Sequence, residues 1–168
     1  MVETIKGWIQ ERDYKSLYET IHESEAITEE DKQELLAYIL EIATEQIHEN
    51  IVNQEKIDFE SESEHFVLRF LYDNAINAFE TGELYEAKES FGLLSAASNS
   101  KHFEKSLHKH IYACMKGIDF DTFVQDWVAP EELKHFYISS FTKVCEDEYK
   151  DGQSLVVAET TRFRILFT

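Results

Sequence analysis

The sequence predicts an all-α protein, an irregular helical bundle or short helical solenoid of about seven or eight helices with a short extended or β-like C-terminal arm. Three observations support this fold class. Apolar residues recur at helical spacing along most of the 168 residues. Turn-forming residues are scarce, with 5 Gly and 1 Pro, so long helices are favoured over many short strands. Residues 71–99 contain two amphipathic segments joined by a turn at Gly82.

Three helices are predicted in the first third of the chain. Apolar residues at helical spacing define the first over residues 2–10, and Asp13 can cap a short second helix that carries Leu17 and Ile21. Thr28 begins the third, and the acidic residues that follow it are favourably placed against the positive end of the helix dipole. The apolar stripe of this third helix continues to about residue 52.

The centre of the chain is predicted to be the most buried part. A polar, acidic loop precedes it, in which Ser61 or Ser63 can cap the next helix. That helix is apolar almost all round, as expected for an element covered on several sides. Asn99 or Ser100 caps a later helix that Gly117 ends. The three predicted central helices cover residues 65–80, 83–97 and 100–116.

Two further helices are predicted before the chain changes character. A short one spans residues 119–128, and Pro130 fits the first position of the next, which ends near Gly152. We therefore expect a single helical domain over residues 1–152.

The C-terminal residues 153–168 have the composition of a strand. They are rich in β-branched and aromatic residues, and charged and apolar residues alternate from Arg162 to Ile165. Because an isolated strand has no hydrogen-bond partner, we expect an extended arm that forms a small hairpin, packs on the acidic body, or pairs with a second copy of the chain as a homodimer.

The central hairpin carries small residues where its two helices must touch. Ala75 and Ala78 lie on the first helix and Ala87 on the second, while Gly82 permits the tight turn and Phe91 fills the adjacent gap. This arrangement resembles one tetratricopeptide repeat, and the expected fold is an irregular helical bundle or a short solenoid with this repeat-like hairpin at its centre. Further positions that match the family pattern are Leu71, Phe79, Glu83, Leu84 and Leu94, whereas Asn74 and Asn99 depart from it.

The resemblance implies a protein-binding scaffold rather than an enzyme. A small, acidic, all-helical protein with such a centre is also similar to the class II chaperones of type III secretion, which hold translocator proteins, and to small repeat chaperones of flagellar systems. In that family an extended client segment lies in a concave groove. The resemblance therefore implies a non-enzymatic chaperone or adaptor that binds another protein, as a peptide or helix, in an apolar groove. The expected groove residues are Arg69, Tyr72, Ile76, Phe79 and Glu80.

The charge of the chain limits its partners. With a formal net charge of −18, it lacks the basic surface that direct binding of nucleic acid or an anionic membrane requires. An acidic surface keeps a chain soluble, and it can also steer a basic partner. An alternative function is therefore an acidic inhibitor that mimics nucleic acid. Its carboxylates would come from the acidic runs at residues 23–25, 29–31 and 60–64.

The two cysteines are expected to be buried free thiols. Cys114 and Cys145 are far apart in sequence and each lies in a helical apolar stripe, so neither a disulfide framework nor a redox pair is indicated. No apolar run reaches membrane-spanning length, and the N-terminus has no signal-peptide pattern. These features predict a reducing, cytoplasmic compartment.

The sequence pattern that comes closest to indicating a metal site is a repeated Glu-x-x-His spacing. Paired copies on facing helices build di-iron sites when both side chains point inward. Two of the four copies lie off the predicted apolar stripes, so a metal-binding bundle is only a third alternative, and no metal ligand, cofactor or catalytic residue is predicted. The four copies are Glu19/His22, Glu45/His48, Glu62/His65 and Glu132/His135.

Three further histidines lie close together in sequence on one predicted helix. His102, His108 and His110 are interleaved with Lys105 and Lys109, so we expect them to form a solvated face.

Overall fold

The computed structural model describes residues 2–25, 27–131 and 135–168, and over these ranges the protein is all-α, as predicted. A π-helical turn at Phe123–Trp127 separates the last two of the eight α-helices found there. No helix in the described ranges has the length and apolar character needed to cross a membrane. The helices are α1 (Val2–Glu11), α2 (Tyr14–Glu23), α3 (Glu29–Asn53), α4 (Glu62–Glu80), α5 (Leu84–Ala97), α6 (Lys101–Met115), α7 (Phe120–Thr122) and α8 (Lys143–Leu166).

Side-chain caps determine where most of the longer helices begin. In each case an oxygen of the capping side chain accepts a backbone N–H from the first helical turn. The caps predicted at Asp13 and Thr28 are confirmed, and of the two alternatives given for each of α4 and α6 the structure uses Ser61 and Ser100. Thr142 caps α8 in the same way.

The helices pack mainly on their neighbours in sequence. Helix α2 contacts α1, α3 and α4, and helix α5 contacts both α4 and α6. The predicted hairpin of α4 and α5 is therefore central, and Gly82 has the positive φ of 82° that its turn requires. The small residues Ala75 and Ala87 are fully buried in this hairpin.

The extended arm predicted for residues 153–168 is wrong, because these residues continue helix α8 to Leu166. The residues that α8 buries recur at spacings of three, four or seven positions, which places them on one side of the helix, and α8 contacts α5 and α6, so packing outweighs the β-strand propensity of these residues. Gly152 lies inside this helix rather than at its end. The buried residues are Cys145, Gly152, Val156, Thr160 and Phe163.

Ion pairs join α8 to the acidic body. Lys88 of α5 lies 2.6 Å from Glu159, and Arg164 lies 2.8 Å from Glu104 of α6. Arg162 pairs with Glu89 of α5. The two arginines of the predicted arm therefore do dock on the protein's own acidic surface, but from a helix.

Two glycines allow α8 to lie close against its neighbours. A Cβ atom on Gly152 would lie 2.1 Å from the ring of Tyr112 on α6. A Cβ atom on Gly92 of α5 would lie 2.4 Å from the ring of Phe163 on α8. Neither position therefore accommodates a larger residue without movement of the facing ring or of the helix.

The helix predicted to run from Pro130 to about Gly152 is found only from Lys143 onward, as the first part of α8, and the described residues 130–131 and 135–142 are not helical. Instead, an antiparallel bridge between Val128 and Phe141 closes a loop, the 128–141 loop, at its neck. Two backbone hydrogen bonds support the neck, from Ala129 N–H to Ser140 O at 3.0 Å and from Thr142 N–H to Trp127 O at 2.9 Å. Residues 132–134, also predicted to be helical, lie outside the described residues.

Candidate binding groove

Helices α4 and α6 form the two sides of a groove, and residues 136–138 of the 128–141 loop occupy it. Helices α4 and α6 both pack on α5, and Tyr72 of α4 reaches His110 of α6 across the space between them. We call this space the α4–α6 groove. Its occupants are residues 136–138, the tip of the loop, and its lining residues are Phe59, Tyr72, Phe103, Ser106 and His110.

A closed circuit of hydrogen bonds holds the backbone of the loop tip. The Ile138 N–H donates to the Tyr72 hydroxyl at 3.0 Å, and the Ser106 hydroxyl donates to the Ile138 carbonyl. Because the Ser106 carbonyl can only accept, His110 Nδ1 carries the proton and donates to it at 2.9 Å. His110 Nε2 is then an acceptor, and the Tyr72 hydroxyl donates to it at 3.0 Å.

The circuit carries no charge at neutral pH. His110 is fully buried, and its burial lowers its pKa from 6.5 to about 4. Burial likewise raises the pKa of Tyr72 above its ordinary value, so both rings stay neutral. Each polar atom of the circuit therefore has a neutral partner, which suits a buried position.

Aromatic rings hold the side chains of the loop tip. The ring of Phe136 lies 4.8 Å from that of His65 and 5.5 Å from that of Phe103, measured between centroids. The ring of Tyr137 lies 4.7 Å from that of Phe103, and its hydroxyl lies 2.6 Å from Nδ1 of His102. Tyr137 is 1% exposed, so the tip is inserted rather than laid across the surface.

The loop that precedes α4 places the last wall of the groove. Ile57 forms a parallel bridge with Ser98 at the end of α5. Phe59 follows, and its N–H donates to Oδ1 of Asn99 at 2.9 Å. The ring of Phe59 then lies 5.8 Å from that of Phe136.

Two of the five predicted groove residues are buried. Tyr72 is 3% exposed beneath the loop tip, and Phe79 is 0% exposed with the rings of Phe120 and Phe123 at 5.4 and 5.3 Å. The expectation that they line an open groove is therefore wrong. The apolar side of α4 is covered by the protein's own residues Phe120, Phe123 and 136–138, which the local sequence pattern did not link to it.

The other three predicted residues are at least partly accessible. Arg69 and Ile76 are half-buried and Glu80 is exposed. The Arg69 guanidinium lies 3.9 Å above the ring of Tyr18, and its buried Nε has no hydrogen-bond partner among the described residues. The other three arginines each form a direct ion pair with a carboxylate. Arg69 forms none in the described part of the chain, although its charge acts on the nearby Asp73 and lowers the pKa of that carboxyl against the larger effect of burial. Contact of these residues with a partner stays a prediction.

The histidines of α6 correct a second expectation. His108 and His110 are buried, with 6% and 0% of their surface exposed, and only His102 is on the predicted solvated face. His110 falls in register with Phe103, Leu107 and Cys114, a spacing that indicates burial. Burial also lowers the pKa of His108 to about 4, so its 4.0 Å approach to Glu104 is not an ion pair at neutral pH.

Metal and thiol chemistry find little support in the described residues. No group of three or more His, Cys, Asp or Glu side chains there is arranged to hold a metal ion. Glu45 and His48 are both exposed, and Glu132 of the fourth pair lies outside the described residues. Cys114 and Cys145 are buried, as predicted, and burial raises the pKa of each thiol to about 12, so neither is a thiolate at neutral pH.

The predicted acidic runs lie at helix ends in the N-terminal part of the fold. Most of their carboxylates are exposed, but Glu62 pairs with Lys15 and Glu64 accepts the Asp58 N–H at 2.6 Å. Residues 1–64 hold 18 Asp and Glu against 5 Lys and Arg, so this part carries −13 of the formal net charge of −18.

Comparison of the chain with protein-family models, with curated proteins and with solved structures gave no match. The likeness to a tetratricopeptide repeat thus depends on the residues of the α4–α5 hairpin, and membership of that family stays a prediction.

Replacing Tyr72 with Phe should lower the free energy of unfolding by about 1–3 kcal/mol, because it removes the acceptor for the Ile138 N–H and the donor to His110. Chemical denaturation measures this change. The matched control is Tyr85→Phe, where the side chain is 66% exposed and we expect a change within about 0.5 kcal/mol. Equal stability of the two variants would contradict the proposed circuit.

Proposed function

We propose that the protein is a non-enzymatic binding module, a chaperone or adaptor, whose α4–α6 groove holds a segment of another polypeptide. The observation that supports it is the mode in which the loop tip is bound. Side chains of α4 and α6 satisfy both backbone groups of Ile138, and aromatic walls enclose Phe136 and Tyr137. Backbone hydrogen bonds combined with side-chain pockets are a common way to recognise a peptide.

The accessible residues beside the groove fit the same role. Arg69 lies three positions before Tyr72 on α4, stacked on Tyr18, and it interacts electrostatically with Asp73 but forms no direct ion pair in the described part of the protein. A carboxylate of a bound polypeptide would supply one. Arginines and aromatic residues are also the residue types that contribute most to binding energy at protein interfaces.

A second candidate function follows from the uneven charge. Helix α3 exposes Glu30, Glu34, Glu41 and Glu45, within the part that carries most of the negative charge. This surface would attract a basic partner over a distance, as an acidic inhibitor does.

The two buried thiols agree with a reducing, cytoplasmic location for either function.

Selection from a library of random linear peptides against the full-length protein tests both functions. If the groove binds, Arg69→Ala and Ile76→Ala should each weaken binding of the selected peptides several-fold, because these partly accessible residues lie within about one turn of Tyr72 on α4. The matched control, Tyr38→Ala on α3, removes a side chain that is 48% exposed away from the groove and should leave binding unchanged. Titration calorimetry or fluorescence polarisation measures the affinities.

Salt separates the two candidates in the same experiment. Groove binding should change little between about 50 and about 500 mM sodium chloride, whereas binding to exposed carboxylates should weaken steeply. Selected peptides that are basic, salt-sensitive and indifferent to both α4 substitutions would favour the acidic surface and contradict the groove.

A further inference from the structure

We propose that the tip of the 128–141 loop is a built-in competitor for the α4–α6 groove, and that a partner binds by displacing it. The partner is then a peptide segment with the same chemistry, two adjacent aromatic residues followed by any residue other than proline. This inference rests on the proposed binding function and names the class of partner.

The architecture of the loop allows its tip to leave the groove without unfolding the rest. The neck is closed by the Val128–Phe141 bridge, and the Thr142 hydroxyl donates to Asp126 O at 2.7 Å. Beyond the neck, α8 is held on α5 and α6 by its own buried residues and ion pairs. The contacts that fix the tip are thus separate from those that fix α8.

The contacts of the tip are ones that a peptide from another chain can reproduce. Both hydrogen bonds to Ile138 use its backbone N–H and carbonyl, which every residue except proline offers. Selectivity comes from the two side chains before it. Phe136 contacts four rings of the groove, and the Tyr137 hydroxyl contacts the exposed His102. A partner without adjacent aromatic residues would leave these positions unfilled.

The groove stays organised when the tip leaves. The hydrogen bonds from Tyr72 to His110 and from His110 to the Ser106 carbonyl lie entirely within α4 and α6. The second bond fixes the His110 ring, and the first orients the Tyr72 hydroxyl towards the position of the Ile138 N–H. Such preorganisation lowers the cost of binding a second segment.

Competition between the loop tip and a partner peptide for the α4–α6 groove determines how tightly the partner must bind. A tethered segment acts at an effective concentration of roughly millimolar, so the tip reduces the fraction of protein whose groove is free. The apparent dissociation constant of a partner rises by the inverse of that fraction. Preventing the tip from docking should therefore tighten partner binding.

A fluorescent peptide with the sequence of residues 135–141, His-Phe-Tyr-Ile-Ser-Ser-Phe, tests the proposal by fluorescence polarisation. The full-length double variant Phe136→Ser/Tyr137→Ser, whose tip no longer fits, should bind this peptide about tenfold or more tighter than the unmodified protein does. Adding Ser106→Ala to the double variant should weaken binding, and a peptide of scrambled order should bind neither protein. A folded double variant that binds the peptide no better than the unmodified protein would overturn the proposal.

Hydrogen exchange on the unmodified protein decides the matter even if the double variant fails to fold. A groove-binding peptide from the library should increase deuterium uptake in residues 135–141 and decrease it in α4 and α6. Unchanged uptake in residues 135–141 would show that the tip is not displaced, which rejects the competitor while the binding function stands. If no library peptide depends on Arg69 or Ile76, the binding function itself fails.

Discussion

The free energy of unfolding should fall steeply as the pH drops from about 6.5 towards about 4. His108 and His110 are buried, and burial lowers the pKa of each from 6.5 to about 4. In this window the unfolded chain takes up protons that the folded chain does not. The stability that each neutral ring contributes is therefore complete above pH 6.5 and is lost as the pH falls, by about 3 kcal/mol per histidine.

The charged groups near the two imidazole rings do not reverse the lowering of the histidine pKa values. His110 has only Lys109 as a charged neighbour, which lowers its pKa further. Around His108, the carboxylate of Glu104 raises the pKa, but desolvation is the larger effect and Arg164 opposes the carboxylate.

Asp73 on α4 changes the pH dependence of the stability in the direction opposite to that of the two histidines. Its burial raises its pKa from 3.8 to about 6, so the folded chain takes up this proton before the unfolded chain does. Asp73 therefore costs stability above pH 6, and its protonation offsets part of the histidine effect below that pH. Asp73→Asn removes the offset, and we expect its stability to fall more steeply with acid than that of the unmodified protein.

Denaturation curves measure these effects. They are recorded for the unmodified protein and for Asp73→Asn between about pH 7.5 and about pH 4.5, at intervals of about half a pH unit. The imidazole resonances identify the groups responsible. In the folded protein, His110 should stay neutral down to about pH 5, whereas the exposed His102 serves as the comparison within the same spectrum. A His110 resonance that titrates near 6.5 would contradict the buried circuit.

Replacing Gly152 with Ala should destabilise the protein by about 1–3 kcal/mol, against the usual trend for helices. At an open position the same change stabilises a helix by about 0.5–1 kcal/mol. Here the new Cβ would lie 2.1 Å from the ring of Tyr112, so α8 must move away from α6 or the ring must leave its position. Thermal or chemical unfolding measures the loss.

Gly7 on α1 is the matched control, because a Cβ atom there meets nothing within 4 Å. Gly7→Ala should leave the stability unchanged or raise it by up to about 1 kcal/mol. Shortening the facing side chain in Gly152→Ala/Tyr112→Ala should make the two losses non-additive, since they share one contact. If Gly152→Ala is as stable as Gly7→Ala, the close approach of α8 is wrong.

The parts of the fold that local pattern predicted are those that local contacts build. The α4–α5 hairpin follows from Ala75, Ala87 and the turn at Gly82, all within one short stretch. The caps at Asp13 and Thr28 bond to residues three positions later, so they too are visible in sequence. In these places periodicity and capping chemistry are sufficient.

The features that escaped prediction depend on contacts between distant residues. Phe136 and Tyr137 and the apolar residues around them recur at helical spacing. Their rings nevertheless pack on Phe103, which lies more than 30 positions earlier in the sequence. The β-branched residues of α8 favour a strand when taken alone, and only the faces of α5 and α6 make them helical. The α4–α6 groove could not be located for the same reason, because residues 136–138, which occupy it, belong to the second half of the chain.

The way α8 returns to α5 has a consequence for how the protein folds. Helices α1 to α6 meet mostly their immediate neighbours, so their contacts close short stretches of chain and can form quickly. The pair of Lys88 and Glu159 joins residues 71 positions apart, and closing so long a stretch costs more conformational entropy. The N-terminal helices therefore have a kinetic advantage, and the seating of the last helix is the step expected to complete the cooperative native state.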